Sequence, residues 1–600
     1  MPLDPTEASL APVDYAIIAG YMVFALAVGF VFSKKASRGA ESYFLGNRSL
    51  PWWAIGISMV ATSFASDTPL FVTEVVRDQG LQRLWWILAW VIMLIVGIFL
   101  FARLWRRSEI ITDAEFYEMR YHGRPAAFLR GFRAFFSGVV QNLLTMGWVT
   151  FAMGSIVAVM TGVDERYAVG LCILVALVYA LLSGFYGVVI TDVFQFFIAM
   201  FSMGALAVAA IHHVGGLGAL QEAILAQPAY GERTLQIFPD LTNHKDMFSL
   251  WILLGVMWWS DVNGYNMQRI SACRDERDAV KATIFYAIFQ AARPWLWAAV
   301  ALVSIALFPT LPEGYKDTHA YPLVMNAVLG PGLKGLLVTA FLAAFMSTID
   351  THLNWGASYV MTDVYKRFIN PRASRKQYMM VTWGVVVGLM LATAAIVPLI
   401  ESVQAAWEFF SILTIGYGIV SFARWFWWRI NAYTEIAALC VGLVAATIHG
   451  TLLYGFRDAL VIGGTPWPEV DFTVKIALLT AIVLPICLVV TLLTPPTPKD
   501  KLESFYRKVR PGGFWGGIST ETRTLPGKAL SWRTLADVVG GLGLCFGISL
   551  AIGYFLLTQY VTMAICLVVA VAGAARVHSW YRQEIGVLVI GTRPDPTKDT

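Results

Sequence analysis

Between Ala343 and Phe368 the chain reads AAFMSTIDTHLNWGASYVMTDVYKRF, which sets Ser347, Thr348, Asp350, Thr351, His352 and Asn354 into an otherwise apolar helix. Ser347 and Asp350 are three apart, and Ser347 and Thr351 four apart, so their oxygens share one helical face. Hard oxygen donors on one face suit a small hard cation. At lipid depth Asp350 costs roughly 2.5–3.5 kcal/mol on insertion scales, which directs it to the protein interior or a wet cavity. Two other apolar runs are interrupted at mid-span. One breaks at Ala61-Thr62-Ser63-Phe64-Ala65-Ser66-Asp67-Thr68-Pro69, the other at Trp258-Trp259-Ser260-Asp261-Val262-Asn263-Gly264. Irregular backbone at that depth is tolerated only where it is buried in protein or lines a cavity. The alternative for each is an ordinary span with polar helix–helix contacts. An oxygen-lined helix together with two broken ones predicts ion-coupled transport.

The elements that position these residues follow from composition. The 600 residues are 58% hydrophobic and only 14% charged, against about 25% charged for a soluble domain. The chain is therefore expected to be an all-α integral membrane protein. Stretches of about 20 apolar residues fall near 13–33, 52–76, 83–102, 128–160, 166–184, 188–211, 248–266, 281–308, 335–362, 377–399, 404–427, 433–454, 472–494, 535–557 and 559–576, about fifteen spans. Basic residues gather in alternate loops, including Arg103, Arg106 and Arg107, then Arg269, Arg274 and Arg277, then Lys366 and Arg367, and the tail 495–534. The positive-inside rule then predicts a multi-pass protein of the cell (plasma or inner) membrane, with the N-terminus outside and the C-terminus cytoplasmic. Its partners are a lipid bilayer and a small solute, with no nucleic acid; the oligomeric state is not legible. The six cysteines form no CxxC pair and the eight histidines scatter, so neither a metal knuckle nor a catalytic cluster is expected. The chain is read as no enzyme.

The two broken spans start five spans apart, so the second half enters the membrane in the opposite sense. Paired breaks in corresponding positions point to a midplane site in an inverted-repeat transporter. The expected division is an N-terminal peripheral span and cytoplasmic loop (1–50), a first repeat (51–213), an extracytoplasmic loop (214–247), a second repeat (248–455), and C-terminal peripheral spans (456–600) that include the cytoplasmic loop 495–534.

Four stretches resemble motifs of the sodium:solute symporter family. Ser42-Tyr43-Phe44-Leu45-Gly46-Asn47-Arg48-Ser49-Leu50-Pro51-Trp52-Trp53 is similar to the loop into that family's second helix, and Ala114-Glu115-Phe116-Tyr117-Glu118-Met119-Arg120-Tyr121 to its PEFLExRY segment. Tyr186-Gly187-Val188-Val189-Ile190-Thr191-Asp192-Val193-Phe194-Gln195 resembles its AVxxTDxxQ segment, and Met346 to Arg367 its MSTxxSxxN…DIYKRF helix; Gln268-Arg269 adds a shorter match. The resemblance implies a leucine-transporter-type core of two inverted five-helix repeats plus peripheral helices. It also implies a co-transported sodium ion held by the backbone carbonyls of Ala61, Phe64 and Ala344 and the hydroxyls of Ser347 and Thr348. A second cation or proton site would involve Asp192, Asp350 and Thr351. Aspartate at 350 departs from the family's usual small residue, and two carboxylates near one site call for a cation between them or a proton on one. Asp350 tied to His352, Asn354 or another span is the structural alternative.

For the solute, the resemblance is less informative. The positions of the sugar-contacting glutamines of relatives are Thr68 and Trp407 here, and that of a lysine is Gln290; Trp259 keeps an aromatic inner gate. Candidate solute contacts are Asp67, Thr68, Trp259, Asp261, Asn263, Gln290, Arg293 and Trp407. Arg293 would either clamp a substrate carboxylate or pair internally with Asp67, Asp261 or Glu408. The function implied is sodium-coupled secondary active symport, importing a small polar organic solute by alternating access. The alternatives are a solute sensor on the same core and a proton-coupled transporter.

Overall fold

A computed structural model describes residues 10–36, 45, 48–182, 185–456 and 459–585. Ser42, Tyr43, Phe44, Gly46 and Asn47 of the first family-like motif lie outside them, as do the ends of the first and last expected segments. The main helices are α1 (Pro12–Ala36), α2 (Trp52–Thr62), α3 (Asp67–Gln79), α4 (Trp85–Phe99), α5 (Gly123–Phe135), α6 (Asn142–Thr161), α7 (Glu165–Leu182), α8 (Phe185–His213), α9 (His244–Val256), α10 (Tyr265–Ala272), α11 (Glu276–Ala292), α12 (Pro294–Leu307), α13 (Leu333–Tyr359), α14 (Arg375–Ile396), α15 (Val403–Phe426), α16 (Ala432–Tyr454), α17 (Phe472–Leu493), α18 (Lys499–Val509), α19 (Trp532–Leu556) and α20 (Tyr560–Trp580), with smaller helices such as Phe101–Ser108, Leu217–Leu225 and Ala320–Val328, loops and one short hairpin between them.

Among the described residues eleven helical stretches are long and apolar enough to cross a membrane, and the bent pair α2/α3 makes a twelfth. The count of about fifteen is not reached by that measure. The other three expected spans fall on α1, α7 and the broken pair α9/α10, which that measure does not count among the described residues.

The helix with the polar face is the centre of the bundle. The span that contains α13 is 94% buried, whereas that of α20 is 17% buried and lies at the periphery. Helices α1, α2, α6 and α8 all pack on α13.

Each break has a local cause. At the end of α2 the Ser63 hydroxyl donates back to the carbonyls of Met59 (2.9 Å) and Val60 (3.0 Å), a side-chain competitor for helical bonding. The chain turns by 52° before α3. Pro69 then sits in the first turn of α3, where a missing N–H costs nothing. Ser66 pins the break to α6 by donating to Val149 O at 2.8 Å.

At the second break α9 stops at Val256 and α10 starts at Tyr265. Val262 and Gly264 have φ of +56° and +69°. The left-handed region strains a β-branched residue but suits glycine. A Cβ on Gly264 would also lie 3.1 Å from the Trp355 ring. Gly264→Ala is expected to cost at least about 1–2 kcal/mol, read as a lower melting temperature in detergent. An unchanged melt would contradict the strained turn.

Candidate functional site

The expected sodium ligands converge where the first break meets α13. The Thr348 hydroxyl lies 3.0 Å from the Thr62 carbonyl and 3.1 Å from that of Ala344. Ala61, Phe64 and Ala344 line one narrow cleft there, with Gln195 and Phe196 of α8 on its far wall. The Phe64 N–H donates to the Ala61 carbonyl at 3.2 Å, which closes the turn of the break. Ser347 Oγ donates to Asp192 Oδ1 at 2.5 Å.

Asp192 is fully buried, and its surroundings differ from the expectation of two carboxylates about a shared ion. Its Oδ2 accepts from Ser58 Oγ at 2.5 Å and lies 3.6 Å from Arg269 Nη2. Arg269 Nε donates to Ser58 Oγ (2.9 Å), and Nη2 to the hydroxyls of Thr62 (2.5 Å) and Thr351 (2.8 Å). A guanidinium of the protein itself therefore stands beside Asp192 and Thr351. Asp350 is buried and lies close enough to Tyr179 of α7 to act on it electrostatically.

Between the two breaks lies a cavity of about 320 Å³. Six of the eight candidate solute contacts line it: Asp67, Thr68, Trp259, Asn263, Gln290 and Trp407. Asp67 Oδ2 accepts from Trp407 Nε1 at 3.1 Å, and the Trp407 ring stacks on Phe71 with centroids 4.4 Å apart. Asn263 donates to the Tyr417 hydroxyl at 3.0 Å. Thr348 lines this cavity as well as holding the cleft.

Asp261 and Arg293 are corrected. Asp261 does not line the cavity but sits in a buried network beside it: its Oδ2 accepts from Arg424 Nη2 (2.6 Å), Arg424 Nε (3.1 Å) and Trp425 Nε1 (2.7 Å), and its Oδ1 from Asn263 Nδ2 (2.9 Å). Arg424 also lies 3.4 Å from Glu435, and all three charged side chains are fully buried. A buried aspartate needs a counter-charge, and α15 supplies one. Arg293 donates to backbone carbonyls of the first break, at 2.9 Å to Val60 and 2.6 Å to Ser63, rather than to Asp67, Asp261 or Glu408.

The sodium:solute symporter family matches residues 43–442. This chain belongs to that family. A sodium/glucose cotransporter of Vibrio parahaemolyticus is 25% identical over 448 residues, 69% of this chain and 79% of that one. Sodium/glucose cotransporter 4 of Danio rerio is 25% identical over 553 residues, 83% of this chain and 81% of that one. In fold, the chain is similar to a solved Na+-coupled sialic acid symporter in a substrate-bound outward-open state, with TM-score 0.67 and 19% identity over 82% of this chain and all of that one. The core is of the leucine-transporter type, and the protein is a multi-pass membrane symporter that couples sodium to a small solute, not an enzyme.

Several residues of the symporter's cavity escaped the sequence reading: Gln141, Trp148, Tyr265, His352, Trp355 and Tyr417. His352 was the most accessible of these, because it stands four residues from Thr348 and so on the same face of α13. Its Nδ1 lies 2.5 Å from Asn142 Oδ1, and its carbonyl accepts from Asn142 Nδ2 at 2.9 Å. Arg269 had a weak signal as an arginine beside an apolar span in the Gln268-Arg269 match.

Proposed function

We propose that the transported sodium binds between the first break and α13, on the carbonyls of Ala61, Phe64 and Ala344 and the hydroxyls of Ser347 and Thr348. The single observation that carries this reading is the Thr348 hydroxyl, 3.0 Å from the Thr62 carbonyl and 3.1 Å from the Ala344 carbonyl, on a residue that also lines the cavity. One side chain therefore touches both cargo sites. With Arg269 already standing at Asp192 and Thr351, one sodium per cycle is the simplest stoichiometry, and Asp350 remains the candidate for a second cation or a proton.

Residues 51–213 and 248–455 would be the two inverted repeats, in a cell membrane with the N-terminus outside and the C-terminus in the cytoplasm. External sodium enters first, holds the first break against α13 and pre-orders the cavity. The solute then draws the outer wall at Asp67 and Trp407 together. Release to the cytoplasm requires the second break to part from α15, where Asp261 pairs with Arg424. Sodium entry supplies about 2.3 kcal/mol per charge per 100 mV, in addition to its concentration gradient.

The proposed solute is a neutral, hydroxyl-rich ring of monosaccharide size. Indole rings of Trp90, Trp148, Trp259, Trp355 and Trp407 line the cavity, with Asp67 as an acceptor at its edge. The lining's one arginine, Arg133, lies 3.7 Å over the Tyr417 ring. Relatives include sodium/glucose, sodium/mannose and sodium/myo-inositol cotransporters, which supports the class. A ligand at 100 times its Kd adds about 2.7 kcal/mol of stability, so a melting screen of the purified protein tests it. Glucose, mannose or myo-inositol should raise the melting temperature in sodium and not in choline chloride. A sodium-dependent response to amino acids or monocarboxylates alone would overturn the solute class.

A further inference from the structure

A helix that ends at lipid depth leaves its last carbonyls without intrahelical partners, and little water is present to satisfy them. At the end of α2 these carbonyls can be followed one by one. Met59 O accepts the Ser63 N–H at 3.2 Å and its hydroxyl at 2.9 Å. Ala61 O accepts the Phe64 N–H, and Thr62 O the Thr348 hydroxyl. The Val60 and Ser63 carbonyls are both reached by one side chain from the junction of α11 and α12: Arg293 Nη1 donates to Val60 O at 2.9 Å, and Nη2 to Ser63 O at 2.6 Å. Nη2 also reaches Ser63 Oγ at 3.0 Å and the side-chain carbonyl of Gln290, which lines the cavity. The arginine is 2% exposed. Its guanidinium carbon lies 5.5 Å from the centre of the Trp297 ring, on which Phe64 stacks.

We propose that Arg293 is a positioning residue for the sodium site: it clamps the Val60–Ser63 turn so that the neighbouring carbonyls of Ala61 and Phe64 face α13. This inference rests on the sodium ligands proposed above. The alternation of partners is the reason. The Val60 and Ser63 carbonyls accept from Arg293, while the Ala61 carbonyl accepts from the Phe64 N–H within the turn, and Ala61 and Phe64, with Val60, line the cleft that Ala344 shares. A planar guanidinium fork can hold two carbonyls at a fixed separation, and a lysine ammonium is a single point charge on a flexible stem. The fixed positive charge also sits at the negative end of the α2 dipole, so the turn is held before sodium arrives.

The test is a sodium titration of the purified full-length protein, with choline chloride holding ionic strength constant and sodium-dependent melting as the readout. Arg293→Met should raise the sodium concentration for half-maximal stabilisation at least about tenfold. Arg293→Lys should raise it about threefold, with a melting temperature in choline chloride close to wild type. The lysine variant keeps the charge, and so decides the matter even if the methionine variant fails to fold. Half-saturation within twofold of wild type in Arg293→Lys and in any folded Arg293→Met would overturn the proposal. Thr348→Ala, run alongside, separates the two levels: if it too leaves half-saturation unchanged, the sodium ligand assignment is what fails.

Discussion

Thr348→Ala should raise the sodium half-saturation of transport by about one to two orders of magnitude. The hydroxyl joins the break to α13, through Thr62 O and Ala344 O. Hydrogen bonds and ligations that involve a charge are worth about 1.5–3 kcal/mol, and each 1.4 kcal/mol is a factor of ten. The change also leaves the Thr62 carbonyl short of a donor, so the sodium-free protein should melt at a lower temperature. Thr348→Ser keeps the oxygen and should retain most of the sodium affinity. Sodium titration of transport or of tryptophan fluorescence reads both variants. An alanine variant with wild-type sodium dependence would remove Thr348 from the site.

Arg424→Met should be the most destabilising single change in the core. Asp261 and Glu435 would keep their charges with no exposure to solvent. Removing one partner of a buried pair costs about 3–5 kcal/mol, a large part of a typical stability of about 5–15 kcal/mol. The variant should fail to accumulate in the membrane or melt far below wild type. Neutralising the carboxylates together with the arginine, in Asp261→Asn/Glu435→Gln/Arg424→Met, should recover part of the loss, because no charge is then left unpaired. Fluorescence-detected melting of crude membranes distinguishes the two. A wild-type melt for Arg424→Met would contradict the network.

Polar residues at lipid depth are what made the site legible. Both breaks, at 61–69 and 258–264, and the oxygen face of α13 stood out because each costs free energy in a bilayer unless the fold uses it. Partners were harder to read than positions. Asp261 was visible as a mid-span aspartate, but Arg424 lies 163 residues away, and no spacing rule joins them. Arg293 was visible as a buried cation, and its partners proved to be main-chain carbonyls 230 and 233 residues distant. Backbone acceptors carry no residue signature, so a carboxylate was the natural but mistaken expectation. The second-site expectation counted carboxylates and hydroxyls and left out Arg269, which enters from α10, beyond the second break. His352 is legible as a polar residue of α13, and its spacing from Thr348 also places it on the face that lines the cavity. The expected fifteen spans and the twelve long apolar stretches among the described residues differ at α1, α7 and the pair α9/α10, and the last is interrupted between Val256 and Tyr265.

The most direct test of the account is uptake into proteoliposomes under an imposed sodium gradient, with labelled glucose or myo-inositol outside. Accumulation above the external concentration should require inward sodium, increase with an inside-negative potential, and be lost in Thr348→Ala at the same sodium concentration. Accumulation that follows a proton gradient, with sodium absent on both sides, would contradict the coupling assigned to the first break and α13.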